Sequence, residues 1–108
     1  MLQPGDVVEA EFPGAQGVKK RPCLVISGEL YHQTRPDVLL SVITSNLATA
    51  TAPTDWVLRD WQEAGLSLPS AARIYISARL QYQVTKIGRL SDDDWNKVQN
   101  RLKLALEI

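Results

Sequence analysis

Cysteine and histidine are nearly missing from this chain of 108 residues: there is one of each, Cys23 and His32. A lone cysteine excludes an internal disulfide and a cysteine-based zinc site, and a lone histidine excludes a multi-histidine metal centre. Neither charge is in excess, since 12 basic residues balance 12 acidic ones. A basic coat for nucleic acid is therefore lacking, long-range steering is weak, and any anion binding has to come from a local patch. Apolar runs are short as well. None approaches the roughly 20 residues of a membrane span, and Met1-Leu2-Gln3-Pro4-Gly5-Asp6 lacks the basic-then-apolar layout of a secretory leader. Repeats, low-complexity tracts and linkers are absent too. The expectation is a soluble, cytoplasmic protein with one domain over residues 1–108, because 44% apolar residues suffice for one core.

What is present reads as a mainly β protein. The Pro4-Gly5-Asp6 turn leads into a strand over Val7–Phe12, where Val8, Ala10 and Phe12 alternate with Val7, Glu9 and Glu11. Pro13–Gly17 reads as a flexible loop with two glycines, and a second strand follows over Pro22–Ile26. Gly28–Arg35 reads as another loop, and the near-continuous apolar run Asp37–Thr44 as a buried third strand. After the polar loop Ser45–Pro53 comes a short edge strand over Thr54–Leu58. Asp60-Trp61-Gln62-Glu63, with Gly65 behind it, has the spacing of one capped helical turn. Ala71–Leu80 is a strand with Ala72, Ile74, Ile76 and Ala78 on one face and Arg73, Tyr75, Ser77 and Arg79 on the other. Gln83–Ile87 reads as a further short strand. Ser91 caps a final helix whose first turn holds Asp92, Asp93 and Asp94, and whose apolar stripe is Trp95, Val98, Leu102 and Ala105. With five or six strands, a partly open barrel carrying a C-terminal amphipathic helix fits better than a sandwich.

The candidate chemistry begins at Gly17-Val18-Lys19-Lys20-Arg21-Pro22-Cys23. Pro22 fixes its own φ and pushes Arg21 toward an extended conformation. A guanidinium held at such a loop-to-strand junction suits planar, bidentate recognition of a phosphate. Thr44 and Ser45 end the third strand, and Arg73, Tyr75, Ser77 and Arg79 share a face of the fifth. Two guanidiniums, several hydroxyls and the basic pair Lys19 and Lys20 together suit binding a phosphodiester and stabilising the charge of its transition state. No ligand cluster supports a metal or other cofactor, and a Ser-His-Asp triad does not fit a lone loop histidine without a Gly-x-Ser-x-Gly elbow. Each residue also has a plainer reading. Thr44 is an ordinary strand residue, Ser45-Asn46 is a turn, Arg73 and Arg79 form a solvated face, and Cys23 is a small buried apolar group. The three tryptophans, Trp56, Trp61 and Trp95, read as core anchors, and His32 as a surface loop residue with general base as its minority role.

The chain resembles the MazF/PemK family of bacterial toxins, and its PemK-like branch in particular. The likeness rests on Gly5-Asp6-Val7-Val8, Lys20-Arg21-Pro22-Cys23-Leu24-Val25, Val42-Ile43-Thr44-Ser45, Ala64-Gly65-Leu66, Pro69-Ser70 and Ile87-Gly88-Arg89-Leu90-Ser91, in that order. It implies a small SH3-like barrel with added helices, usually a homodimer. The implied activity is metal-independent, sequence-selective cleavage of single-stranded RNA, often mRNA. The 2′-OH would attack the adjacent phosphate, leaving a 2′,3′-cyclic phosphate and a 5′-OH. It also implies a cognate antitoxin whose acidic, partly disordered tail covers a groove near Lys19, Lys20, Arg21 and Arg73. By position, Arg21 matches a catalytic acid or phosphate stabiliser, Thr44 a support for the scissile phosphate, and Arg73 an arginine that some members use as general acid. Lys19, Lys20, Ser45, Tyr75, Ser77 and Arg79 are the accompanying RNA-binding candidates.

Two departures stand beside the likeness. Gly14-Ala15-Gln16-Gly17 lacks the His-Glu-Gln type loop of some members, and Tyr75 stands where some carry an aspartate base. A phenol with a pKa near 10 is poorly matched to proton abstraction at neutral pH, so no general base is assigned; losing one costs about 10²–10⁴-fold. The alternative is a non-catalytic or weakly active barrel of the same fold that binds RNA or protein. A third reading, inhibition of a protein target such as a topoisomerase, rests on fold analogy alone.

Overall fold

Among the described residues six antiparallel strands form one sheet, and two α-helices accompany it. The computed structural model describes residues 1–14 and 17–108. In chain order the elements are β1 (Asp6–Gly14), β2 (Gly17–Val25), α1 (Glu29–Thr34), β3 (Asp37–Thr44), β4 (Trp56–Val57), β5 (Ala71–Leu80), β6 (Thr85–Arg89) and α2 (Asp92–Leu106). Their order across the sheet is β4-β5-β3-β2-β1-β6, and the sheet curls into a half-barrel.

β1 and β2 make a long hairpin, with Val7 opposite Leu24 at one end and Gly14 opposite Gly17 at the other. This corrects the expected loop over 13–17: both strands run further than expected, and only Ala15 and Gln16, between them, lie outside the described residues. Arg21 consequently sits inside β2, opposite Ala10, and not at a loop-to-strand junction. Pro22 is tolerated because β3 pairs with β2 only over Cys23–Val25, which leaves the edge of β2 free at the proline.

Alternation along the strands sends side chains to two cores. On the face under α2, Val7, Leu24, Ile43 and Ala72 pack with Leu58, Leu66, Leu90 and Val98, and Trp56, Trp61 and Trp95 all join them. On the other face Val8, Ala10, Cys23, Val25, Val38 and Leu40 pack with Phe12 and Val84. A sheet buried on both faces explains why Asp37–Thr44 reads as a near-continuous apolar run. Burial of Val98 alone contributes about 1.5–3 kcal/mol. Ser91 caps α2 as expected, its Oγ accepting the Asp94 N–H at 3.2 Å.

Two further expectations change. Gly28–Arg35 is not all loop but contains α1, too short to show a helical period, and His32 within it is buried. Its Nδ1 lies 2.8 Å from the Leu2 carbonyl and its Nε2 2.6 Å from Ser27 Oγ, so it anchors the N-terminal segment instead of standing free in a surface loop. The Asp60–Gly65 segment makes a single turn, as expected: Ala64 N–H donates to Asp60 O, and Gly65 ends it at φ +86° without a longer helix forming. Gly88 lies so close to this segment that a Cβ would come 2.0 Å from the Ala64 carbonyl oxygen.

Candidate active-site cleft

The two arginines singled out in the sequence meet in space. β5 advances four residues, Ala72 to Ile76, while its partner β3 advances two, Ser41 to Ile43, so β5 bulges between them. Ser41 stabilises the bulge by donating its hydroxyl to the Arg73 carbonyl and accepting the Tyr75 N–H. The bulge turns Arg73, Ile74 and Tyr75 together toward an open cleft of about 560 Å³. Strict alternation therefore fails for the apolar set: Ala72 enters the core, but Ile74 lines the cleft and Ile76 is exposed.

Phe12 of β1, Arg21 of β2 and Val42 of β3 form the floor of the cleft, and Ala52, Thr54 and Asp55 of the β3–β4 connection close one side. The volume is that of a small-ligand site. Two guanidiniums against one carboxylate leave it positive in a chain whose formal charge is zero. The guanidiniums are held differently. Arg21 is exposed and has no ion-pair partner among the described residues, whereas Arg73 Nε lies 3.5 Å from Asp55 Oδ1. Among the described residues no other acid reaches Arg73 within ion-pair distance, and the Asp55 side chain is only 4% exposed.

The other candidates scatter. Thr44 shares a sheet face with Val42 by alternation but does not line the cleft, and its Oγ1 is occupied in accepting the Asn46 N–H at 3.1 Å. Ser45 is exposed beside it. Lys19 lies opposite Phe12, on the face of Arg21. Lys20 lies opposite Glu11 and borders a separate depression with Glu9 and Thr85. Arg79 stacks its guanidinium 4.2 Å from the Phe12 ring centroid and donates Nε to the Glu11 carbonyl, so it braces the cleft wall. The Ser77 hydroxyl oxygen is buried, out of reach of a ligand. Tyr75 is 69% exposed at the rim. Cys23 is buried as expected, and that burial pushes its thiol up to about 12 although the positive charges of Arg79 and Arg21 act the other way.

Sequence reasoning missed Thr54 and Asp55. Thr54-Asp55 reads as the start of an edge strand, and nothing in its spacing announces that the chain folds it back against Arg73. Among the described residues, no three His, Cys, Asp or Glu side chains converge as a metal site, and no helix is long and apolar enough to cross a membrane.

The model of a family described as PemK-like, MazF-like toxins of type II toxin–antitoxin systems matches residues 3–106. The chain belongs to this family. Solved structures carry the same toxin fold. An endoribonuclease in complex with its cognate antitoxin, from a Mycobacterial species, superposes with a TM-score of 0.78 at 19% identity, covering 100% of this chain and 97% of that one. MazE-MazF from Deinococcus radiodurans gives 0.78 at 16% identity over 99% and 97%. The Mycobacterium tuberculosis toxin MazF-mt6 gives 0.77 at 17% identity over 95% and 97%. At these identities the likeness speaks for the fold. No curated protein matches by sequence.

Proposed function

We propose that the chain is a metal-independent endoribonuclease toxin whose cleft binds single-stranded RNA and cleaves it with sequence selectivity. The observation that carries this reading is the convergence of Arg21 and Arg73, from distant parts of a PemK-like, MazF-like toxin, on one open positive cleft. In this mechanism the 2′-OH gives up its proton to solvent and attacks the neighbouring phosphorus as the bond to the 5′-oxygen breaks; that oxygen takes up a proton from solvent, giving a 2′,3′-cyclic phosphate and a 5′-OH. Arg21, free of internal partners, binds the non-bridging oxygens and stabilises their growing charge; Arg73 flanks the leaving oxygen. Thr44, at the end of β3 outside the cleft lining, supports the phosphate where RNA extends past the cleft, and Tyr75 and Lys19 extend RNA contact along its rim. The toxin acts as a homodimer in the cytoplasm, and a cognate antitoxin neutralises it by laying acidic chain over the same arginines. Support for that partner comes from the relative solved as an endoribonuclease with its antitoxin.

The test is purified protein with single-stranded RNA in EDTA, wild type beside Arg21→Ala, with product ends mapped. Cyclic-phosphate ends that disappear in Arg21→Ala support the reading; no Arg21-dependent cleavage overturns it. One feature favours the second reading, a barrel that binds RNA with little or no cleavage. The one histidine is buried elsewhere, and the cleft carboxylate is already engaged by Arg73, so among the described residues no free base faces the cleft. Salt-dependent RNA binding without product would decide for it.

A further inference from the structure

We infer that Asp55 is a positioning residue that orients the Arg73 guanidinium for its work on the phosphate, an inference that rests on the ribonuclease reading above. Asp55 is fixed from three sides before Arg73 is considered. Its N–H donates to the Ala52 carbonyl at 2.9 Å, and its Oδ2 accepts the Ala52 N–H at 3.1 Å, closing the loop reciprocally. Its own carbonyl accepts Arg101 Nε from α2 at 3.3 Å. The carboxylate direction is thus set by the loop, and Arg73 is the partner that follows it.

The remaining oxygen, Oδ1, meets Arg73 through Nε at 3.5 Å. That ion-pair contact draws the Nε edge of the guanidinium toward Asp55 and biases the plane of the group, leaving its fork donors for an anion. An arginine that must meet a transition-state oxygen loses less entropy if its plane is already restrained. Direct proton abstraction is a poor use of the same carboxylate, since its side chain is 4% exposed, Oδ2 is hydrogen-bonded and Oδ1 is in ion-pair contact with Arg73. Nor is Asp55 needed to bind RNA; its charge opposes RNA. Its advantage is therefore in the chemical step.

The experiment combines arginine side-chain NMR with cleavage kinetics. In the wild type, the Arg73 Nε–H signal, assigned by its loss in Arg73→Lys, exchanges slowly. In Asp55→Asn it moves and exchanges fast, while the Arg101 Nε–H signal stays because the Asp55 carbonyl remains. In the same variant kcat falls about 10–100-fold with KM nearly unchanged, and the fall is absent in an Arg73→Ala background. If Asn disturbs the loop and shifts the Arg101 signal too, Asp55→Glu decides: partial return of rate and of the Arg73 signal supports the role, and a Glu variant no better than Asn overturns it. An Arg73 signal that ignores Asp55→Asn overturns it, as does a full loss of kcat that persists without Arg73. If the wild type cleaves no RNA while the NMR coupling holds, the ribonuclease reading falls and only the orientation of Arg73 by Asp55 stands.

Discussion

Asp55 and Asp94 are both buried carboxylates packed beside β4, and they are bonded in opposite ways. Asp94 accepts three N–H donors: Trp56 Nε1 at 2.9 Å, the Arg59 backbone at 3.1 Å and the Asp60 backbone at 2.9 Å. It faces the core under α2 and is saturated. Asp55 accepts one backbone N–H and gives its other oxygen to a half-exposed arginine at the cleft. A carboxylate saturated by neutral donors inside the fold serves architecture, since all of its bonding is spent internally. One whose partner faces solvent transmits its orientation outward. Burial alone does not distinguish the two; the identity of the donors does.

Removal of each carboxylate should break that symmetry most visibly. Asp94→Ala strands three N–H donors in the core and is expected to cost about 3–5 kcal/mol, lowering the melting temperature by more than 10 °C or so. Asp55→Ala is expected to cost only about 1–2 kcal/mol, because the cleft lets water reach Arg73 and the Ala52 N–H. Paired chemical denaturation curves measure both. Equal losses would erase the distinction between an architectural and a functional acid.

Arg21→Ala probes the cleft side from the other direction. Removing one preorganised donor to a phosphate oxyanion costs about 10²–10³-fold in cleavage rate. Stability should stay within about 0.5 kcal/mol, because Arg21 is exposed and makes no internal ion pair among the described residues. Single-turnover RNA cleavage beside a thermal melt gives the two numbers. A large melting shift would mean that Arg21 braces the sheet.

A third buried acid, Cys23, extends the comparison to a group with no strong donor at all. Its Sγ has only a long 3.7 Å contact to the Arg21 carbonyl, so burial raises its pKa from 9.0 to about 12. The protonated thiol is favoured in the folded state. The resulting stability is complete below the unfolded thiol pKa and is lost as pH climbs from there toward 12. By pH 10 the loss reaches about 1.4 kcal/mol. Cys23→Ala should flatten that alkaline decline, and the wild-type thiol should resist alkylation until the protein unfolds. An equally steep decline in Cys23→Ala would assign it to other groups.

The landmarks that made the family resemblance legible are largely architectural. Gly5 turns at φ +92° against the Trp95 ring, and Asp6 is buried where it meets Arg89 at 3.1 Å and Lys86 at 3.3 Å. Gly65 and Gly88 permit a backbone contact that no side chain could enter, and Ser91 caps α2. Such residues leave sequence signals because each is demanded by a local conformation or a close approach. Strand β3 was legible to the residue for a similar reason, its apolar run being imposed by burial; the bounds of β5 were legible too, but its apolar alternation breaks at the bulge. Arg21 and Arg73 were visible from composition and neighbours. The bulge that brings Arg73 round to Arg21 was not, because it depends on a Ser41 hydroxyl bonded across the sheet. Asp55 escaped for the same reason: its meaning lies in a loop bond and in a partner on another strand. The β1–β2 hairpin was underestimated because Pro13, the glycines and Pro22 look like loop chemistry, while cross-strand pairing overrides them.

The smallest expected effect separates two adjacent lysines. Lys19 and Lys20 look equivalent as a basic pair, yet neighbours along a strand point to opposite faces. Lys19 pairs with Phe12, which lines the cleft, and Lys20 pairs with Glu11 and borders Glu9. If RNA follows the Arg21 face, Lys19 neutralises a phosphate and Lys20 neutralises a carboxylate. Lys19→Ala should then weaken RNA binding a few-fold and lower the slope of log affinity against log salt by about 0.7, the value for one phosphate contact on a single strand. Lys20→Ala should leave that slope unchanged and shift affinity by less than about twofold, through screened long-range charge alone. Salt titrations of RNA binding by the two variants give the comparison directly. Equal slope changes would place RNA across the hairpin edge, with both lysines in contact, and would move the binding face away from the cleft.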